Sequence, residues 1–391
     1  MKLFLFIKRL ANKYALVSLT LIVVIACHAK AQGPDRKTKN KSFQPGALWY
    51  DTDGVPINAH GAGVLYFKGS YYWFGEHKTS GRGGNTALVG IHCYSSTDLY
   101  NWKNEGIALR SVEDPNSDIV HGCIMERPKV IYNKKTRKFV MWFHLEIKDR
   151  GYDAARTGVA ISDNATGPYT YLKSYRVNPG IWPMDASNEM KKGTNNQNLK
   201  WWTPKWMEAI KNGLFVRRDF QKGQMSRDMT LFVDDDAKAY LIYSSEDNLT
   251  MHIAELTPDY LGFTGRWNRV FPGGHNEAPA VFKQDNKYYL IMSGCTGWDP
   301  NAARMAVADS IWGPWQALGN PCVGEHANLT FFSQSTYVLP VIGMNNSFIF
   351  MADRWVPRNP IDGRYIWLPI NFVDGRPTIR WQEQWDLSYF K

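Results

Sequence analysis

NEAPAVFKQDNKYYLIMSG, residues 276–294, decides the fold. Ala280 to Phe282 reads as one strand and Tyr288 to Met292 as the next, with Gln284-Asp285-Asn286-Lys287 turning between them. Apolar, β-branched and aromatic runs bounded by turn residues define a β-hairpin. A lone carboxylate, Glu277, stands at its mouth, two residues before Pro279. The same plan recurs in GAGVLYFKGSYYWFGE (61–76), ERPKVIYNKKTRKFVMWFH (126–144) and SRDMTLFVDDDAKAYLIYSS (226–245), and more loosely in SQSTYVLPVIGMNNSFIFMADRW (333–355).

The downstream halves repeat as well. SSTDLYNWKNEG (95–106) carries a Trp at the outer end of a strand pair, and SDNATGPYTY (162–171) and ADSIWGPWQA (308–317) share Gly-Pro-aromatic. Apolar residues alternate or run in fours and fives, which excludes a helical repeat. Five units of about four strands fit a ring, which protects the strand edges that a linear stack exposes. An all-β, five-bladed β-propeller over 46–391 is predicted. One stretch breaks the rhythm: residues 180–222 form an insertion, with a short helix expected at 204–212 and a place beside the cleft.

Ahead of the propeller, Lys2, Lys8, Arg9 and Lys13 precede the apolar run Ala15 to Ala26, followed by Ala29-Lys30-Ala31. That pattern is a signal peptide, 1–31, with a flexible leader at 32–45. The expected protein is secreted or periplasmic, with lipid attachment at Cys27 the less favoured route. The apolar run is shorter than a span of about 20 residues, so no membrane span is expected. The formal charge of +10 falls to +5 without residues 1–31, and no basic stripe interleaves with aromatics, so no nucleic-acid partner is expected. Cys93, Cys123, Cys295 and Cys322 admit three pairings and match no zinc spacing. A monomer is expected.

In a propeller the innermost strands line the axis, so equivalent strand ends converge. The polar residues at those ends are His60, Glu126, Asp228, Glu277 and Gln334. Any one of them alone is more simply a turn cap or an ion-pair partner, as Arg127 and Arg227 beside Glu126 and Asp228 indicate. All of them at equivalent places point to a shared site. Carboxylates crowded in a funnel raise the pKa of at least one member, which a general acid at neutral pH requires.

These segments resemble glycoside hydrolase family 43. SRDMTLFVDDDAKAYLIY and EAPAVFKQDNKYYLIMS are similar to its two downstream acidic segments, and STDLYNW is typical of it. The resemblance implies Glu277 as general acid and Asp228 as the residue that orients it and tunes its pKa. It departs at the first blade, where the family's base Asp is replaced by Ala59-His60-Gly61. DTDGVPINAHGAGVLYFKGSYYWFGEHK resembles the exo-β-1,3-galactanase branch, which lacks that Asp and presents a Gln from the last blade, here Gln334. Glu126 matches the branch's extra carboxylate, which holds the sugar's 2-hydroxyl. Water activation then falls to a tautomerised Gln334 or to Glu126.

Glu76, Arg127, Tyr152, Thr296 and Trp298 match places that contact the terminal galactose, and His60 is added as a hydrogen-bonding group at the axis. Trp298 reads equally as a stacking platform or a core Trp, and Glu76 equally as a partner of Lys78. The implied substrate is galactan or arabinogalactan of the plant cell wall, cut with inversion. No cofactor is required, and a structural calcium ion is compatible with the axial residues. Rival readings are an α-L-arabinofuranosidase or β-xylosidase of the same family, and a propeller lectin without catalysis.

Overall fold

The computed structural model describes residues 39–194 and 198–391. Residues 1–31, read as a signal peptide, lie outside the described residues. Five antiparallel sheets follow one another along the chain, at 60–110, 124–175, 229–270, 276–319 and 334–380. Within each, consecutive strands are neighbours, and the fifth gains a short parallel strand, Cys322–Val323. The innermost strands, His60–Phe67, Ile124–Asn133, Met229–Val233, Asn276–Gln284 and Gln334–Pro340, pack each against the next and the last against the first. The protein is a five-bladed β-propeller.

The hairpin at 276–294 shows why the sequence chooses this form. Its strands run longer than the apolar cores indicate, Asn276–Gln284 and Lys287–Gly294, and Gln284 pairs with Lys287. Asp285 and Asn286, with φ of 49° and 61°, make a two-residue turn whose hand matches the twist of the strands.

Five hydrophobic clusters fill the five clefts between blades, so each blade is sealed to both neighbours by side chains. Trp73, Trp102, Trp142, Trp267 and Trp367 are fully buried there. The ring begins earlier than residue 46. Phe43 is buried and bridges to Trp385, because its ring stacks on that indole at 4.4 Å in the cleft between the fifth and first blades.

The described residues of the insertion form three short helices, Asn188–Lys192, Pro204–Lys211 and Leu214–Asp219. Thr203 caps the middle one by accepting from the Trp206 amide, with Pro204 in its first turn. Trp206, Ile210, Leu214 and Phe215 close over Leu249 of the third blade.

One local feature positions the site. In the first, second and fourth blades the innermost strand gains one residue over its partner just after the predicted functional position, between His60 and Gly63, Glu126 and Lys129, and Glu277 and Ala280. The residue that follows in each case, Gly61, Arg127 and Ala278, has φ between 55° and 59°. Such a bulge ends regular pairing and re-aims the side chains beside it. At Gly61 the conformation requires glycine, since a Cβ would fall 2.0 Å from Glu76 Oε1.

Candidate active site

The bulged strand ends surround a cavity of about 300 Å³ at one end of the propeller axis. Glu126, Arg127, Asp228, Glu277 and Gln334 all reach it, with Glu76, Tyr152 and Trp298 completing its wall. Arg127 is the hub. Its backbone amide donates to Glu76 Oε1 at 2.9 Å, and its guanidinium donates to Asp228 Oδ2 at 2.9 Å, Gln334 Oε1 at 2.6 Å and the Ser335 carbonyl at 2.7 Å. Asp228 Oδ2 also accepts from the Ala278 amide at 3.1 Å.

Glu277 sits half-shielded between blades. Its Oε1 accepts from Gln334 Nε2 at 2.9 Å and its Oε2 from Asn248 Nδ2 at 3.2 Å. Burial, reinforced by the negative charge of Asp228, pushes its pKa up to about 7. A carboxyl that keeps its proton near neutrality is equipped to give it away in catalysis.

Gln334 has no hydrogen-bonding capacity to spare. Its Oε1 accepts from Arg127 and from Trp355 Nε1 at 2.9 Å, while Nε2 donates to Glu277 and to Ser293 Oγ at 3.0 Å. Two acceptor sites and two donors are all an amide owns. The two donors on Oε1 also fix which way the amide faces, since a flipped group would set N–H against N–H.

Glu126 is held differently. Oε1 accepts from Tyr152 Oη at 2.8 Å and Asn85 Nδ2 at 2.9 Å, and Oε2 pairs with His144 Nδ1 at 3.0 Å. A carboxylate has about four acceptor sites, so one remains for a ligand. His144 Nε2 pairs in turn with Glu146 Oε1 at 2.9 Å, and Glu146 Oε2 accepts from the Ala155 amide at 2.8 Å. Burial opposes charge on His144, but the hydrogen bonds its ring donates to two carboxylates win and lift its pKa to about 9. Burial likewise opposes charge on Glu126, and the His144 contact reverses that effect and holds its pKa well below the usual range.

Two residues assigned to substrate lie elsewhere. His60 is fully buried and does not reach the cavity; its ring lies 5.2 Å from Tyr365 and neither nitrogen has a protein partner. Thr296 Oγ1 is turned into its own loop, donating to the Asp299 carbonyl at 2.6 Å and accepting from Asn301 at 2.8 Å. Among the described residues the insertion lines no part of the cavity, because its apolar face is spent on the third blade. Glu76 pairs with Lys78, one of the two readings left open by the sequence, and also lines the cavity while accepting from the Arg127 amide. Trp298 is 41% exposed and Tyr152 38%, so both are wall residues and not core.

Sequence reading missed His144, Glu146, Asn85, Asn248 and Trp355. His144 and Glu146 had a signal: they alternate within the apolar strand Lys138–Glu146 and so share one face. The other three come from connecting segments, whose paths no periodicity reports.

Neither place considered for an ion suits one. Glu126, His144 and Asp228 bring donor atoms within 4.8 Å of one another, but both nitrogens of His144 face carboxylates, and the protonated ring has no lone pair to give. Calcium takes six to eight oxygens. Beside His60, Asp353 already accepts from the Gly61 amide at 2.5 Å and Glu76 is paired with Lys78, so the donor set does not fit calcium. Among the described residues no helix is long and apolar enough to cross a membrane, and all four cysteines there are free thiols.

Residues 204–334 match the family model described as glycosyl hydrolases family 43. A solved GH43 β-1,3-galactosidase holding galactodeoxynojirimycin is 58% identical, with a TM-score of 0.86 over 88% of this chain and 100% of that one. The exo-β-1,3-galactanase of Phanerochaete chrysosporium, solved with β-1,3-galactotriose, is 33% identical (TM-score 0.70, 88% and 68% covered). That of Clostridium thermocellum is 32% identical (TM-score 0.71, 88% and 66% covered). No curated protein matches the chain. A propeller with a pocket of carboxylates at its axis and these relatives defines a glycoside hydrolase. The chain belongs to glycoside hydrolase family 43.

Proposed function

We propose that this enzyme is an exo-acting β-1,3-galactosidase that removes terminal galactose from β-1,3-galactan with inversion of the anomeric centre. The observation that carries the reading is Glu277: a carboxyl with its pKa at about 7, set in the cavity against the amide of Gln334. Glycoside cleavage needs a proton for the leaving oxygen and a nucleophile on the opposite face. Glu277 supplies the proton. Asp228, bound by Arg127 and the Ala278 amide, is a poor nucleophile and acts by holding up the Glu277 pKa. Attack therefore falls to water. When Glu277 turns to the glycosidic oxygen it frees one N–H of Gln334, which then holds that water. The proton the water sheds as its oxygen bonds the anomeric carbon passes to the carboxylate of Glu126, directly or through the sugar hydroxyl bound there. The vacant acceptor site of Glu126 takes a sugar hydroxyl, and Trp298 and Tyr152 present faces to the ring.

Galactose as the sugar is supported by the relative that is 58% identical over its whole length and named a β-1,3-galactosidase. We assign the place of action to outside the cytoplasm, on the strength of the signal-like residues 1–31, and the polymer to plant arabinogalactan, on the resemblance of the first-blade segment 51–78 to exo-β-1,3-galactanases. The test is the product's anomeric form. NMR of freshly released sugar from β-1,3-galactobiose is expected to show α-galactose first; a first-formed β anomer refutes inversion and the role given to Gln334, and no galactose at all refutes the substrate.

A pH profile follows from the Glu277 shift. The acid must carry its proton, so kcat/KM is present below pH 7 and falls as pH rises through about 7, since kcat/KM reports the free enzyme. Asp228→Asn removes a charge that raises this pKa and leaves Arg127 less neutralised. Both effects have the same sign, and the alkaline limb is expected to move to lower pH. A limb that stays in place or moves up contradicts the assignment.

A further inference from the structure

The insertion stays out of the catalytic cavity, yet it is tied to a turn that touches Glu277. Residues 246–249 connect two strands of the third blade, Ala239–Ser245 and Thr250–Leu256, whose ends pair at Ser245 and Thr250. Glu246, Asp247 and Asn248 have φ of 53°, 56° and 65°, three consecutive non-glycine residues in the left-handed region. Asp and Asn visit that region through their short polar side chains, and Glu has no such help. A run of this kind persists only where its surroundings over-determine it.

Much of that surrounding is the insertion. Glu246 is fully buried and accepts from Arg269 Nε at 2.6 Å and Nη2 at 2.8 Å. The same guanidinium donates to the carbonyls of Ile210 and Lys211, at the end of the helix Pro204–Lys211. Asp247 Oδ2 accepts from Arg218 Nη1 at 2.5 Å. Arg218 stands on the helix Leu214–Asp219, fixed there by a bidentate pair with Asp219 and by the Phe215 ring, whose centre lies 3.9 Å from its guanidinium carbon. Leu249 packs with Trp206 and Phe215. The remaining member, Asn248, lines the cavity and donates to Glu277 Oε2 at 3.2 Å.

We infer that the insertion is a brace for the proton donor: through Arg218 and Asp247 it sets the turn that holds Asn248 against Glu277, which makes Arg218 a positioning residue. The inference rests on the reading of Glu277 as the general acid of a β-1,3-galactosidase. Global stability does not explain the Arg218–Asp247 link, since the two side chains are 23% and 24% exposed, and an ion pair that open to water adds little to a fold. What the link fixes is the direction of Asp247, the residue before Asn248. Asp247 Oδ1 also lies 3.8 Å from Arg227, which donates to the Tyr152 carbonyl at 2.9 Å. Substitution at Arg218 therefore isolates the route to Glu277 better than substitution at Asp247.

The test is Arg218→Met, which keeps an unbranched stem against Phe215 and removes the guanidinium. Turnover is measured on β-1,3-galactobiose and on a galactoside with a strongly activated aryl leaving group, which departs without a proton. On galactobiose kcat is expected to fall about tenfold, short of the roughly 10²-fold cost of a 1 Å misplacement, while the aryl galactoside stays within about twofold of wild type. Asn248→Gly removes the side chain yet suits the left-handed backbone, and is expected to show the same split. Adding Arg218→Met to it should cost less than about twofold more, because residues that act through one another are not additive. Equal losses on the two substrates, no loss on galactobiose, or additive losses in the double variant overturn the brace. A wild-type enzyme inert on galactobiose overturns the galactosidase reading itself, and the brace as stated with it.

Discussion

Glu277→Gln is expected to lower kcat on β-1,3-galactobiose by about 10³-fold or more, towards the upper end of what a positioned general acid contributes. The substitution is nearly isosteric. Its amide oxygen can still accept from Gln334, and its NH2 group meets Asn248 once that part-exposed amide flips to present Oδ1, so the fold is retained and far-UV circular dichroism should match wild type. What is lost is the proton held at about pH 7. A discriminating control is a galactoside with a strongly activated aryl leaving group, which departs without protonation. Activity on that substrate should survive far better than on galactobiose, and equal losses on both would mean that Glu277 positions sugar and donates nothing.

Glu126→Gln should be nearly as damaging, lowering kcat/KM on galactobiose by at least about 10²-fold, the scale seen when a preorganised polar contact to the reacting sugar is removed. The reason lies behind the residue. Tyr152, Asn85 and His144 all donate to Glu126. A carboxylate accepts all three, whereas a glutamine must turn an N–H towards at least one of them. Donor against donor in a buried site costs the desolvation of both groups. The imidazolium of His144 also loses one of its two counter-charges, and its pKa is expected to drop from about 9 towards the neutral range. Titration of the His144 ring by NMR in wild type and variant checks this independently of turnover; an unchanged ring pKa would leave Glu146 as its real partner.

Much of this site was legible because the repeats do the geometry. Once five similar hairpins are placed in a ring, Glu126, Asp228, Glu277 and Gln334 must meet. The exception, His60, stands at the equivalent place yet is buried, its ring lying against Tyr365 and beside Gly363. Sequence carried no sign of the bulges themselves. Arg127 and Ala278 are unremarkable residues for a left-handed backbone, and only the pairing offset reveals what they do. Thr296 failed for a related reason: its motif fixed the loop, but the hydroxyl was needed by the loop's own carbonyl. The leader was placed too long because Phe43 looks like an isolated aromatic until Trp385, 342 positions later, is seen against it.

That last pairing has a topological consequence. Every blade here is woven from one continuous segment, and among the described residues no strand is exchanged across the cleft between the fifth and first. The molecule is thus a loop with a nick, its two flanks lying side by side at Phe43 and Trp385. Which blade comes first is an accident of where the gene starts, so a linker across the nick with new ends cut between any other two blades yields a circular permutant that keeps the same pocket.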